Sequence, residues 1–249
     1  MQFIDTHAHL NFEDYDRDRN EVIKQAIQNG VLYILNVGID RKTSEESIQL
    51  AKEYKEIFAA VGWHPHEASN FDESSLEGLI GHPKVVALGE IGLDYYRALN
   101  SKNLQKQVFD EQVRFAKEHR LPIIVHDRDA HEDVYAILKK YSPAKVVFHC
   151  FSGDYHFVQE IIQSGWHLSF TGNITFNRSK YYSIIKDLPQ DRFFVETDAP
   201  FLTPHPFRGR RNRPEYVLYM IETISQFRND TPSHIARITT DNAKNFFEV

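Results

Sequence analysis

Cysteine is almost absent from this chain: Cys150 is the only one among 249 residues. That excludes an internal disulfide framework and a thiolate metal cage, and a free thiol is what a reducing cytosol tolerates, so Cys150 reads as an inert filler. Long apolar runs are missing too, and none approaches the roughly 20 residues that a membrane-spanning helix needs. The N-terminus lacks a basic stretch followed by an apolar one and opens directly on a strand-like segment. No secretory signal is expected, and the expected location is the cytoplasm. Positive charge is not in excess: 29 Lys and Arg stand against 35 Asp and Glu, a formal net charge of −6. This balance argues against binding nucleic acid by bulk electrostatics and leaves local contacts only. No glycine-rich turn follows the first apolar run, where an open dinucleotide-binding sheet would carry its fingerprint.

Hydrophobic residues make up 41% of the chain and aromatics 13%, enough for a large buried core. Short β-branched runs recur, and five of them end in a side chain that can ligate a metal: Phe3 to His9, Val85 to Glu90, Ile123 to His126, Val146 to His149 and Phe193 to Asp198. Val31 to Val37, Ile57 to Val61 and Trp166 to Phe170 bring the strand candidates to about eight. Segments with apolar residues at helical spacing lie between them, such as Val22, Ile23, Ala26 and Ile27 before Gly30, and Phe157, Val158, Ile161 and Ile162 before Gly165. Thr43 followed by Glu46 reads as a capping box ahead of Ile48. The regions Val217 to Phe227 and Ile235 to Phe247 read as closing helices. Strict alternation of buried strands with helices predicts a parallel α/β fold, and the length matches the roughly 250 residues of one (β/α)8 TIM barrel. Residues 1–249 are therefore expected to form a single domain.

Such a barrel carries its chemistry at the C-terminal strand ends, where these ligating side chains fall. His7 and His9 are two apart, share one strand face and can hold one divalent ion, with Asp5 a step deeper. Glu90, His126, His149 and Asp198 arrive from other strands. Imidazole and carboxylate without thiolate suit Zn, Mn, Ni or Co, and Mg remains open. With His7, His9 and Asp198 around one ion and His126 and His149 around another, Glu90 is the bridge between two ions, because a carboxylate has two oxygens to share. Such a pair lowers the pKa of a water and clamps the attacking and leaving oxygens of a displacement at phosphorus. Asp198 can also accept the proton of that water. Glu196 reads either as a partner for an imidazole N–H or as a buried carboxylate of the barrel floor.

His64, ending the third run before Pro65, is placed to contact a substrate phosphate, whereas His66 reads as a solvent-facing loop residue. Arg128 and the cluster Arg208-Gly209-Arg210-Arg211-Asn212-Arg213 supply guanidinium forks suited to phosphate oxygens. Ser152 lies on a small turn through which a backbone can approach a ligand. Tyr95 and Tyr96 either stack on a base or pack against the outer helices.

Six motifs, Asp5-Thr6-His7-Ala8-His9-Leu10, Gly62-Trp63-His64-Pro65, Gly89-Glu90-Ile91-Gly92-Leu93-Asp94-Tyr95, Ile124-Val125-His126-Asp127-Arg128, His149-Cys150-Phe151-Ser152-Gly153 and Glu196-Thr197-Asp198-Ala199-Pro200-Phe201-Leu202, together resemble the TatD family of metal-dependent deoxyribonucleases. The resemblance spans essentially the whole chain. It implies a TIM barrel of the amidohydrolase type, a divalent-metal centre and hydrolysis of DNA phosphodiester bonds, with His7, His9, Glu90, His126, His149 and Asp198 as ligands. One departure is Arg213, where the family's loop usually has Glu. This predicts a more basic mouth and tighter, more salt-sensitive DNA binding.

The leading expectation is a metal-dependent phosphodiesterase that cleaves DNA from an end, with Asp198 and Glu90 catalytic and His64, Arg128, Ser152, Arg208 and Arg210 contacting substrate. Two alternatives stand beside it. One is an amidohydrolase-like enzyme acting on an amide, lactone or amine, since the same centre polarises a carbonyl. The other is a metal-stabilised binding module, although structural metal sites are usually closed by four protein ligands. Every proposed site residue comes from one chain, which accords with a monomer.

Overall fold

Each β-branched run is buried on both faces and takes up a strand: β1 (Phe3–Ala8), β2 (Val31–Val37), β3 (Ile57–Val61), β4 (Val85–Asp94), β5 (Ile123–Arg128), β6 (Val146–Phe148), β7 (His167–Phe170) and β8 (Phe193–Val195). In this computed structural model, which describes residues 1–249, the strands form one parallel sheet in the order β1 to β8. Its two ends meet. Ala8 bridges Ala199, the His9 N–H donates to the Ala199 carbonyl at 2.7 Å, and the Asp198 N–H donates to the His7 carbonyl at 2.9 Å. Buried Asp5 ties the seam from below, accepting from the Thr197 N–H at 2.9 Å and the Thr197 hydroxyl at 2.6 Å. The expected barrel is thus formed, with Asp5 part of its closure.

The helices are α1 (Arg19–Gln28), α2 (Arg41–Glu53), α3 (Glu73–Ile80), α4 (Lys102–His119), α5 (His131–Tyr141), α6 (Tyr155–Gln163), α7 (Asn173–Phe176), α8 (Arg178–Ile185), α9 (Val217–Arg228) and α10 (Pro232–Phe247). No helix is long and apolar enough to cross a membrane. The capping box of α2 differs from expectation. Asp40 is the N-cap, its carboxylate accepting from the Thr43 N–H at 2.7 Å, while Thr43 Oγ1 accepts from the Asp40 N–H at 3.1 Å. The charged acceptor captures the end of the helix, so Thr43 sits inside it and Glu46 takes no part.

Two features position the site. Inside the barrel, Ile4, Leu35, Ala60, Ala87, Ile124, Val147 and Phe194 pack with Phe246 and Phe247 of α10. The last helix thereby plugs the barrel interior with apolar side chains, and the polar side chains are left to the mouth. At the other end, β4 passes Glu90 and continues to Asp94, four residues beyond the sequence expectation. It lies so close to β5 that a Cβ on Gly92 (φ +150°) would come within 1.9 Å of the His126 carbonyl. Glycine at that position lets Glu90 and His126 approach each other.

Candidate metal centre

Five of the six predicted ligands reach the mouth from the ends of β1, β5, β6 and β8, and Glu90 comes from within β4. The Nε2 atoms of His7 and His9 are 3.1 Å apart. Glu90 Oε2 is 3.4 Å from the first and 3.7 Å from the second, and Asp198 Oδ1 is 3.8 Å and 3.4 Å away from them. Metal–donor bonds of about 2.0–2.2 Å in a tetrahedron put its donors roughly 3.3–3.6 Å apart. The separations from the two nitrogens, 3.1–3.8 Å, bracket that spacing.

The other oxygen of the same carboxylate serves a second group. Glu90 Oε1 is 2.5 Å from His126 Nδ1 and 2.7 Å from His149 Nε2, and those two nitrogens are 3.5 Å apart. His64 Nε2 stands 3.7 Å from Glu90 Oε1. Each carboxylate oxygen therefore has its own imidazoles, His7 and His9 on Oε2 and His126, His149 and His64 on Oε1.

Supporting contacts orient the rings. His9 Nδ1 lies 2.9 Å from the Val37 carbonyl, which fixes a proton on that nitrogen and leaves Nε2 with a free lone pair. His149 Nδ1 is 3.4 Å from Glu196 Oε1, an oxygen that also accepts from the Cys150 N–H at 2.6 Å. Asp94 Oδ2 stands 2.9 Å from His66 Nε2 and 3.4 Å from His126 Nε2. The last contact and that of His149 with Glu196 are within ion-pair distance but not aligned as hydrogen bonds, and His7 Nδ1 is likewise buried without a partner. Asp198 is held at φ +55°, a left-handed conformation uncommon outside glycine and costly to maintain.

Electrostatics follow from this crowding. Burial pushes the Glu90 carboxyl up, but His149, His64 and His126 outweigh it and hold the group well below the usual carboxylate range. Burial pushes His149 down, yet Glu90 and Glu196 carry it well above an ordinary imidazole. His64 is driven well below, by burial first and by His126 next. A mixed imidazole and carboxylate set, buried and mutually charged, with donors at ligand spacing, fits a divalent cation.

The centre opens into a cleft of about 580 Å³. His64, Arg128 and Ser152 line it as expected, together with His9, Glu90, His126, His149 and Asp198. Arg208 and Arg210 do not line it. Arg208 stacks over Phe176 at 4.0 Å, and Arg210 lies 5.9 Å from Phe207. Arg211 is spent on a two-pronged contact with Asp18. Arg213 turns toward α1, donating to Gln25 at 2.6 Å and pairing with Glu215 at 3.2 Å, so the expected more basic mouth does not arise.

Sequence reasoning missed several residues. His66 is half-buried against Asp94 instead of facing solvent. Asp94 and Arg97 line the cleft, as do Phe12 and Phe201. Asp94 could have been found by the signal that found the others, an ionisable side chain ending an apolar strand. Of the two tyrosines, Tyr95 donates to Asp133 at 2.6 Å and packs outward, whereas Tyr96 stays exposed under the Arg128 guanidinium.

Comparison with known proteins accords with this geometry. The family model described as TatD related DNase matches residues 4–248. The chain is 47% identical to the uncharacterized metal-dependent hydrolase YabD of Bacillus subtilis, over 99% of both chains. It is 31% identical to the 3'-5' ssDNA/RNA exonuclease TatD of Salmonella typhimurium, again over 99% of both. Among solved structures, the TatD homologue YJJV of Escherichia coli superposes with a TM-score of 0.91 at 32% identity, covering 99% of this chain and 98% of that one.

Proposed function

Because this chain belongs to the TatD-related DNase family, we propose that it is a divalent-metal-dependent exonuclease that hydrolyses nucleic-acid phosphodiester bonds, with residues 1–249 acting as one catalytic domain. The observation that carries the reading is the division of Glu90, whose two oxygens face two different sets of imidazoles. On this reading His7, His9, Asp198 and Glu90 would hold one ion, and His126 and His149, with Glu90 shared, would hold a second. Bound there, such ions would lower the pKa of a water and offset the charge of a phosphoryl oxygen.

The chain's own groups do the rest. The attacking water gives its proton to Asp198, which lines the cleft and is partly open to solvent. The new O–P bond forms as the ester P–O bond breaks, and solvent protonates the leaving oxygen. His64 Nδ1 accepts from the His66 N–H at 3.1 Å, so a neutral His64 carries its proton on Nε2, the atom nearer Glu90. That N–H is offered to a phosphate oxygen. Arg128 and Arg97 at the rim bind flanking phosphates, and Ser152 offers a hydroxyl. Two arginines on the wall favour a phosphate diester over the neutral amide or lactone of the alternative reading. All groups come from one chain, so a monomer suffices. Action in the reducing cytoplasm belongs to this reading, supported by the free thiol of Cys150.

The test is metal-stripped protein given Mg, Mn, Zn, Co or Ni singly and incubated with end-labelled single-stranded and duplex DNA. Stepwise shortening with at least one ion, lost in Asp198→Asn, is expected. No shortening with any ion contradicts the proposal.

A further inference from the structure

Five of the seven exposed large apolar side chains follow the C-terminal ends of strands: Tyr96 and Leu99 after β4, Tyr155 after β6, Phe176 after β7 and Phe201 after β8. Aromatic rings facing water at the mouth of an active site contribute nothing to the core. The question is what they meet.

Two of them are held on immobilised backbone. Phe201 lies three residues beyond Asp198 and is 50% exposed, yet its carbonyl accepts from Asn212 Nδ2 at 2.6 Å and its N–H donates to the Asp198 carbonyl at 2.8 Å. Asn212 is fully buried and also donates to the Thr197 carbonyl at 2.8 Å. The next residue packs so closely that a Cβ on Gly172 would come within 2.0 Å of the Leu202 carbonyl. The Phe201 ring meets Phe12 edge-on at 6.2 Å, and Phe12 stacks on the ligand candidate His9 at 4.6 Å. Both phenylalanines line the cleft. On the other side, the neighbours of Tyr96 are pinned: the Tyr95 N–H donates to the Arg128 carbonyl at 2.9 Å and the Arg97 N–H to Asp94 Oδ1 at 2.8 Å. The Arg128 guanidinium lies 4.1 Å over the Tyr96 ring, which is still 65% exposed.

β4 and β8 are four strands apart in a barrel of eight, so these two aromatic groups leave the barrel on opposite sides of its mouth, Phe201 in the cleft wall and Tyr96 against the Arg128 that lines it. We infer that Phe201, backed by Phe12, and Tyr96, backed by Arg128, are base-stacking platforms that hold an unpaired polynucleotide strand on either side of the scissile phosphate. This deepens the nuclease reading and rests on it. A ring stacks on every base because every base has a π-face, so strand recognition here is independent of sequence and needs the bases unpaired. It also reconciles a chain of net charge −6 with a polyanionic substrate, because stacking supplies affinity that the two cleft arginines alone do not. The Arg208–Phe176 stack repeats the arrangement further along the rim.

The test compares a fluorescein-labelled phosphorothioate oligothymidylate with its abasic counterpart, binding to metal-loaded wild-type, Phe201→Ala, Phe201→Trp and Tyr96→Ala proteins. Each Ala variant is expected to bind the base-bearing strand about tenfold more weakly. On the abasic strand the loss disappears, and Phe201→Trp restores binding. In steady-state shortening of ordinary oligothymidylate the change falls on KM, with kcat retained. Equal losses on both strands, or no loss at either position, overturn the inference. Failure of the nuclease reading has a different signature: the wild-type protein shortens no strand with any ion.

Discussion

The Nε2 atoms of His7 and His9 stand 3.1 Å apart inside the barrel, both turned to Glu90 and Asp198, while the Val37 carbonyl holds a proton on Nδ1 of His9. A cation placed between the rings would meet both nitrogens and the two carboxylates at once. The arrangement explains why β1 must place both imidazoles on one face, and why closure of the barrel through Asp5 and Thr197 is built so near the chemistry.

Asp94 extends this argument to the second donor set. Burial pushes its carboxyl up, but contacts with His126, the Arg97 N–H and His66 hold it well below the usual range, so it stays charged beside His126 Nε2. That charge offers an acceptor for a proton on Nε2, which would leave the Nδ1 lone pair for an ion beside Glu90. Asp94→Asn is expected to weaken one of two bound ions about 10–100-fold while leaving the other unchanged, as read by competition with a chromogenic chelator. Equal affinity in wild type and variant would show that Asp94 does not orient His126.

Asn212→Ala removes the donors to the Thr197 and Phe201 carbonyls from a fully buried position. Leaving such groups unpaired costs about 2–3 kcal/mol. A fall of the urea midpoint is expected, together with a raised KM as Phe201 loosens. An unchanged midpoint would mean that the loop after β8 is held by other contacts.

The salt dependence of strand binding separates the arginines. Arg128 lines the cleft, whereas Arg213 is engaged with Gln25 and Glu215. Each phosphate contact on a single strand contributes about 0.7 to the slope of log K against log salt. Arg128→Gln should lower that slope by about this amount, and Arg213→Gln should leave it unchanged. A lower slope in the Arg213 variant would return that residue to the mouth.

His167 gives a pH signature remote from the centre. At the barrel floor its ring stacks on Phe194 at 5.1 Å, and burial, helped by the charge of Arg192, pushes its pKa down to about 4. A folded value below the unfolded one of about 6.5 means that the unfolded chain takes up the proton first, so stability present above neutrality is lost as pH falls. Between pH 7 and 5 this group removes about 2 kcal/mol. The loss should be smaller in His167→Phe, measured by urea unfolding at both pH values.

The barrel and the candidate ligands were legible in the sequence because both follow from one local pattern, an apolar strand ending in an ionisable residue. His7, Glu90, His126, His149 and Asp198 needed no long-range information to be placed at one end of a barrel. The loop residues were less legible for a physical reason. Arg208, Arg210, Arg211 and Arg213 look alike as a charge run, and their directions depend on Phe176, Phe207, Asp18 and Glu215, which lie far away or on other elements. His66 looked solvent-facing because its partner, Asp94, is supplied by a neighbouring strand that continues further than its apolar run suggests. Phe12 carried no signal beyond being aromatic, and Phe201 stood in a motif without a role of its own, since what matters is that both rings line the cleft.

The central claim is that Glu90 joins two ion sites, and the metal content of the purified, metal-saturated protein tests it most directly. Mass spectrometry of the wild type should give two ions per chain. The His126→Ala/His149→Ala variant should give one, and Glu90→Ala should lose the second ion and hold the first weakly. One ion in the wild type, or two in Glu90→Ala, would contradict the account.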